Sequence, residues 1–160
     1  MKFRIVTLIS LLAFMGALLP NHANAQDPKQ QVIKFRTQVK PNSDERINLI
    51  MTPMPGNEGV TIEGCELVTL PDNTQAWKVT KSWITVTGPV THFDCNLSAI
   101  DSIHFENPES LKTLIVETNK MGVLDLKGMK ALTYLGASAT DVREIDLTGC
   151  TNLKRIYCDG

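Results

Sequence analysis

Residues 111–126 read LKTLIVETNKMGVLDL, and residues 132–147 return to the same pattern as LTYLGASATDVREIDL. The two stretches start 21 residues apart, and their apolar side chains fall at the same places. A further copy begins at Leu153 as LKRIYCDG, and an earlier, more divergent one covers residues 90–105 as VTHFDCNLSAIDSIHF. Self-similarity at a fixed step of about 20 to 50 residues predicts a solenoid, in which each repeat forms one turn and stacks on the next.

Seven columns of side chains keep the 21-residue register along these copies. Five columns are apolar and are expected to point inward, because strand side chains alternate between the two faces of a sheet. They are Val90/Leu111/Leu132/Leu153, Phe93/Leu114/Leu135/Ile156, Ile100/Met121/Val142, Ile103/Leu124/Ile145 and Phe105/Leu126/Leu147. A sixth column holds the small or aliphatic Cys95, Val116, Ala137 and Cys158, and a seventh holds the polar Ser98, Asn119 and Thr140. A single repeat cannot bury enough apolar surface to fold alone, so the copies have to stack.

Written as L-x-x-L-x-a-x-x-p-x-L-x-x-L-x-L, where a is small or aliphatic and p is polar, the unit resembles the leucine-rich repeat. The stretch LTYLGASATDVREIDLTGCTNLKRIYC, residues 132–158, is similar to the 21-residue, internalin-like repeats of bacterial surface proteins, and the resemblance covers residues 84–160. It implies a mainly β fold in which parallel strands form a short solenoid with little helix. It also implies asparagine in the polar column, with its amide satisfying backbone groups of the turn. Only Asn119 keeps this residue, so a weak turn ladder is expected.

The N-terminus has the features of a secretory leader. Two basic residues precede an apolar run over residues 5–19, and Pro20 and the small-residue triplet Ala23-Asn24-Ala25 follow it. The run is shorter than the roughly 20 residues that a membrane-spanning helix needs, so no membrane span is expected. Residues 1–25 are predicted to be a signal peptide and the polar residues 26–31 to be disordered. The mature protein is expected to be secreted, to the periplasm, the extracellular space or the outer cell surface of a bacterium.

Residues 32–88 differ from the repeats. Their β-branched or alternating runs, separated by Pro, Gly, Asn and Asp clusters, predict four or five short strands. The runs are VIKFRTQV from residue 32, RINLIM from residue 46, VTIEGCELVTL from residue 60 and AWKVTKSWITVTG from residue 76. We expect a β-rich cap that covers the first repeat, followed by about three and a half repeats over residues 89–160. Because the sequence stops within a repeat, a truncated relative of longer proteins or self-association through the open C-terminal repeat edge is expected.

Charge and motif content argue against several classes of function. The chain has 16 Lys and Arg against 17 Asp and Glu, and removal of the two basic leader residues leaves 14 against 17, a net charge of −3. Without a basic stripe, nucleic acid is not an expected partner. The sequence has no G-x-S-x-G, no H-E-x-x-H and no phosphate-binding loop, so neither an enzyme nor a cofactor is expected, and a secreted hydrolase is a remote alternative. His92 and Cys95 should face opposite sides of a strand and share no metal, and His104, Asp125 and Asp146 should be exposed polar positions.

Four cysteines in a secreted chain raise the question of disulfides. Cys95 and Cys158 lie in one column three repeats apart, which separates them by roughly 14 Å at about 4.8 Å for each strand spacing. A disulfide needs Cα atoms within about 7 Å, so both are predicted to be unpaired and buried. The resemblance implies that Cys150 packs at a turn, and Cys65 lies in the cap without an assigned partner.

The outward residues of the repeat strands form the candidate binding face. One column holds His92, Thr113, Tyr134 and Arg155, and its neighbour holds Asp94, Ile115, Gly136 and Tyr157. Both tyrosines of the chain fall on this face beside an arginine, and binding energy concentrates in these residue types. Since leucine-rich repeats commonly bind through the strand face, we expect a protein-interaction or adhesion module whose partner is a protein or a glycan. The alternative is a structural cap-plus-repeat piece of a larger surface protein, without binding activity of its own.

Overall fold

The computed structural model describes residues 30–57 and 59–159. Within this part of the chain every regular element is a strand and none is a helix, so the predicted mainly β class is confirmed. The strands are β1 (Val32–Thr37), β2 (Arg46–Ile47), β3 (Ile50–Pro53), β4 (Thr61–Glu63), β5 (Cys65–Thr69), β6 (Gln75–Val79), β7 (Trp83–Thr87), β8 (Val90–Asp94), β9 (Ile100–Glu106), β10 (Thr113–Ile115), β11 (Val123–Asp125), β12 (Tyr134–Gly136), β13 (Glu144–Asp146) and β14 (Arg155–Tyr157). The predicted signal peptide, residues 1–25, and residues 26–29 of the segment predicted to be disordered lie outside the described residues. Gln31, at the end of that segment, is buried.

One face of the molecule is a parallel ladder of β8, β10, β12 and β14. Its register places His92 beside Thr113, Thr113 beside Tyr134 and Tyr134 beside Arg155, so each turn of the coil advances by 21 residues. The ladder continues past the strands, where the amide of Ala137 donates to the carbonyl oxygen of Tyr157 at 2.7 Å. The predicted solenoid of stacked 21-residue turns, about three of them, is confirmed.

The opposite face is built from two sheets that meet at β9. β11 and β13 pair in parallel, with Leu124 beside Ile145. β9 carries Ile103, which precedes Leu124 by the same 21 residues, but β9 is hydrogen-bonded into an antiparallel sheet of order β4-β7-β1-β9. The N-terminal segment also forms a separate antiparallel sheet of order β2-β6-β5.

The N-terminal segment adds a strand to each face of the solenoid. β3 pairs antiparallel with β8, placing Met51 opposite Phe93, and β1 pairs antiparallel with β9, placing Phe35 opposite Ile103. The rings of Phe35 and Phe93 meet edge to face with centroids 5.8 Å apart, so the two sheets enclose one continuous core. The segment therefore sits where a cap on the first repeat has to sit, while the boundary at residues 88 and 89 stays a prediction.

The described residues of the predicted cap form seven strands rather than four or five. The predicted positions are right, but three of the four apolar runs are each divided into two strands. Gly64 divides one of them because its backbone has φ +91°, and a Cβ there would lie 2.4 Å from the carbonyl oxygen of Trp83. Only glycine allows this close approach of two backbones, and at this point the chain passes from the sheet that contains β4 to the sheet that contains β5.

The inward columns form the core of the first turns. Leu111, Leu114 and Leu135 are completely buried, as the repeat predicts. In the last turn the burial is lost: the exposed fraction of Ile156 is 43%, and Cys158 is exposed. The prediction that Cys158 is buried is therefore wrong, because none of the described residues stacks on the outer side of this turn.

Each repeat has two turns, and in each turn a residue at an equivalent position adopts the left-handed region. After the first-face strands these residues are Leu97, Thr118 and Ala139, with φ of 52°, 55° and 52°. After the second-face strands they are Asn107, Gly128 and Gly149, with φ of 48°, 78° and 85°. Both series keep the 21-residue step, so turn geometry is part of the repeat. Thr118 is the most strained of them, because a β-branched side chain fits this region worst.

We expect Thr118→Gly to raise the free energy of unfolding by about 0.5 to 1 kcal/mol, since relief of the left-handed strain exceeds the entropic cost of glycine. The Thr118 side chain is exposed, so little packing is lost. Urea denaturation measures the change. Thr113→Gly, on strand β10 of the same repeat, is the matched control and should be destabilising. A loss of stability in Thr118→Gly equal to that of the control would contradict the turn conformation.

Candidate functional site

The predicted binding residues lie on the outer surface of the five-stranded sheet β14-β12-β10-β8-β3. His92, Thr113, Tyr134 and Arg155 occupy equivalent positions on successive strands, and Asp94, Ile115, Gly136 and Tyr157 form the adjacent column. The ladder thus brings all of them to one face, on backbone that is hydrogen-bonded on both sides through most of its width. We refer to this surface as the strand face.

The end of the strand face formed by β12 and β14 carries an aromatic pair with an arginine. The rings of Tyr134 and Tyr157 have centroids 5.5 Å apart and an interplanar angle of 40°. Tyr157 lies beside Gly136 in the ladder, and Arg155 lies beside Tyr134. Because Gly136 has no side chain, the ring of Tyr157 can lean across β12 toward Tyr134. Tyr157 is 49% exposed and Arg155 is exposed, so both offer contact area to a partner.

A carboxylate occupies the space above Gly136. A Cβ on this glycine would lie 2.8 Å from Oε1 of Glu117, so the Glu117 side chain extends over it. The ion pairs of the described residues include neither Glu117 nor Arg155. Within the described residues, the half-buried Glu117 and the exposed Arg155 therefore give the strand face an acid and a base that form no ion pair.

Asp94 contributes less to this face than its position in the column predicts. Its exposed fraction is only 8%, and its Oδ1 accepts a hydrogen bond from the amide of Asn96 at 2.9 Å. The neighbouring strand β3 places Ile50 directly opposite Asp94. Asp94 thus belongs to the turn at the end of β8 rather than to the open surface.

The structure adds two residues that the repeat pattern does not contain. β3 continues both columns, with Thr52 opposite His92 and Ile50 opposite Asp94. Ile50 is 48% exposed and gives the cap end of the strand face an apolar side chain. The alternation in RINLIM predicts a strand there, but its pairing with β8 is antiparallel and outside the 21-residue register. The repeat alone therefore could not assign these residues to the face.

Asn119 holds the turns next to the strand face in place. It is buried, and its Oδ1 accepts hydrogen bonds from the amides of Ser98 and Ile100 at 3.3 and 2.9 Å. Its Nδ2 donates to the carbonyl oxygens of Cys95, Val116 and Glu117 at 2.9, 2.9 and 3.2 Å. The role expected for the polar column, satisfying backbone groups of the turn, is confirmed at this residue. Thr140, one repeat later, makes a single bond of this kind, to Ala137.

All four cysteines are free, so the prediction that Cys95 and Cys158 are unpaired is confirmed. Burial raises the pKa of the Cys95 thiol far above its usual value, and burial also raises the pKa of Cys65 to about 12. Cys150 is half-buried at a turn, as expected, and its Sγ donates to the carbonyl oxygen of Leu126 at 3.1 Å. Desolvation raises the pKa of this thiol too. The cysteines of the core are thus poor nucleophiles, because the thiolate is the reactive form.

Residues 30–57 and 59–159 contain no group of three or more His, Cys, Asp or Glu side chains placed to hold a metal ion. The same residues contain no helix with the length and apolar character to cross a membrane. Comparisons with protein-family models, with curated proteins and with solved structures find no match to this chain. The function of the strand face therefore has to be inferred from its own chemistry, an aromatic pair with a base and an acid that form no ion pair among the described residues.

Proposed function

We propose that this chain is a recognition module that binds a protein partner through the strand face. The observation that carries the proposal is the ring contact of the half-buried Tyr134 with the exposed Tyr157, beside the exposed Arg155, on a ladder of hydrogen-bonded strands. Tyrosine and arginine provide large contact area with a polar end, and they are the residues most enriched where binding energy concentrates. A rigid ladder loses little conformational entropy when a partner docks, so more of the contact energy appears as affinity.

The composition of the rest of the face supports a protein partner. Ile50 and Ile115 add apolar area to the tyrosines, and Glu117 and Arg155 add charges that form no ion pair with any described residue. Protein interfaces typically combine an aromatic or apolar centre with a polar rim. The strand face contains both parts, apolar and aromatic side chains together with two charged ones.

We further propose that the 21-residue turns are leucine-rich repeats of the internalin-like kind and that residues 1–25 direct export. The consensus of the repeat and the hydrogen bonding of Asn119 support the first point, and the basic, apolar and small-residue regions of the N-terminus support the second. Under this proposal the protein works outside the cytoplasm, in adhesion or another contact between proteins, and has no catalytic activity.

The test uses a bait in which Tyr134, Arg155 and Tyr157 are all replaced by alanine. Wild-type and variant proteins are immobilised at equal density and exposed to extracts of host extracellular matrix and of bacterial envelopes. We expect a protein retained by the wild type to be lost from the variant, and the affinity for the purified partner to fall by about 2 to 4 kcal/mol. The thermal melt should change little, because these side chains contribute mainly to the surface.

The matched control is the triple alanine variant of Val123, Arg143 and Glu144, exposed residues of β11, β13 and the turn before β13. It should retain the partner as the wild type does. Equal retention by both triple variants would place the binding site elsewhere. Failure of the wild type to retain any protein would favour the alternative of a purely structural piece of a larger surface protein.

A further inference from the structure

A tryptophan lies exposed on the sheet opposite the strand face. Trp83, on β7, is 36% exposed, and its side chain is on the outer surface of the sheet β4-β7-β1-β9. The Nζ of Lys34 is 5.2 Å from the ring centroid, and the Cζ of Arg36 is 5.5 Å from it. The imidazole of His104 is inclined to the indole by only 25°, with centroids 5.9 Å apart. Tryptophan is mostly buried in proteins, so an exposed indole surrounded by two cations and a second ring is unusual.

The strand order shows how this aromatic surface is formed. Trp83 is paired across from Arg36 on β1, and His104 is on β9, at the far side of β1. Two strand spacings, about 9.6 Å, separate β7 from β9. For its ring to come so close to His104, the indole has to extend across β1 over the stems of Lys34 and Arg36. Trp83 and His104 are then two nearly parallel rings on the outer surface of the sheet, and we refer to this pair as the platform.

Polar groups of both kinds surround the platform. The Nε of Arg36 donates to Oδ1 of Asp101 at 2.7 Å, and this bond together with the charge of Asp101 raises the pKa of the guanidinium. The Oγ of Ser102 lies 3.1 Å from Nε2 of His104. Donor and acceptor groups held in place by these two contacts thus lie next to the platform.

A groove of about 140 Å³ begins at His104, where the platform ends. It lies between β9 and β11, which belong to different sheets and leave a gap between them. Its floor is apolar and its rim is polar. The floor contains Ile103, Phe105 and Met129, and the rim contains His104, Asp125 and Lys127.

We propose that the Trp83 platform and this groove form a binding site for an uncharged carbohydrate. A pyranose ring has an apolar C–H face that packs on an aromatic ring, and a perimeter of hydroxyl groups that need both donors and acceptors. The platform provides the aromatic ring against which one sugar unit packs. The rim of the groove provides hydrogen-bond donors and acceptors for the hydroxyl groups of the next sugar unit.

The charges of the site favour a neutral ligand over a polyanion. Lys34, Arg36 and Lys127 are the cations of the platform and groove, and Asp101 and Asp125 are their anions. Glu63 and Glu106 add two further carboxylates on the same outer surface, because Glu63 pairs across from Thr85 and Glu106 from Val32. A sulfated or uronate-rich chain would meet as much negative as positive charge here, whereas hydroxyl groups can use both.

The experiment titrates the whole protein with cellotetraose, maltotetraose, mannotetraose and chitotetraose, followed by calorimetry and tryptophan fluorescence. We expect at least one of these uncharged probes to bind with a dissociation constant of about 1 mM or tighter. Trp83→Ala should weaken that binding by about tenfold or more, and Lys127→Ala by a few-fold. The binding should change little between low and high salt, since no ion is captured.

The triple variant of the strand face at Tyr134, Arg155 and Tyr157 is the control and should bind the sugar as the wild type does. A thermal melt checks whether Trp83→Ala is folded. Lys127→Ala tests the groove and leaves the side chains of the platform unchanged. The proposal is overturned if none of the four tetrasaccharides binds at a concentration of about 10 mM, ten times the expected dissociation constant. It is equally overturned if binding persists in both variants, or if only a heparin tetrasaccharide binds and does so in a salt-dependent way.

Discussion

Replacing Asn119 by leucine is expected to lower the free energy of unfolding by about 4 kcal/mol or more. The side chain is buried and makes five hydrogen bonds to backbone groups of two successive turns. Leucine has a similar volume but leaves two N–H groups and the carbonyl oxygens of Cys95 and Val116 without partners, while the carbonyl oxygen of Glu117 still accepts from the amide of Leu97. Each buried group without a partner costs about 1 to 3 kcal/mol. Because a whole domain is stable by only about 5 to 15 kcal/mol, this single change should bring the protein close to unfolding.

Urea denaturation followed by circular dichroism measures the effect of Asn119→Leu. The matched control is Thr140→Val in the same column of the next repeat, which removes one hydrogen bond, to the carbonyl oxygen of Ala137. Its cost should be about 1 kcal/mol. Equal costs for the two variants would mean that Asn119 does not connect the turns, and the five hydrogen bonds would then carry no special weight.

The repeated half of the fold could be predicted because its register is written in the side chains. A step of 21 residues between Leu111 and Leu132 fixes which strands are neighbours, and alternation then fixes which side chains point outward. The parallel pairing of Thr113 with Tyr134 and of Tyr134 with Arg155 follows from these two rules alone. A repeated sequence indicates which strands pair with each other, whereas the sequence of a single strand does not.

The cap could be predicted only as a set of strands. Nothing in VIKFRTQV indicates that β1 pairs with β9, because antiparallel partners far apart in the chain leave no periodic signal. For the same reason the platform around Trp83 was not predictable, since its members come from β7, β1 and β9. The inward columns also do not indicate where burial ends along the solenoid, which is why the prediction that Cys158 is buried is wrong.

The four cysteines are expected to react with a thiol reagent at very different rates in the folded protein. Cys158 is exposed and should be alkylated at the rate of a free thiol. Cys65 and Cys95 are buried, and burial raises the pKa of both thiols, so the reactive thiolate is scarce as well as covered. Their labelling requires local opening and should be slower by about 10³-fold or more. Cys150, half-buried with its Sγ bonded to a carbonyl oxygen, should react at an intermediate rate.

The measurement is alkylation of the native protein at pH 8 for increasing times, followed by unfolding, labelling with a second reagent and mass spectrometry of each peptide. Cys158→Ser should remove the fast reaction and leave the other three rates unchanged. Fast labelling of Cys95 would contradict its place inside the coil, and a peptide with a Cys95–Cys158 disulfide would contradict the register itself. The two residues stand three turns apart along the ladder, farther than a disulfide can reach, so only a different stacking of the repeats could join them.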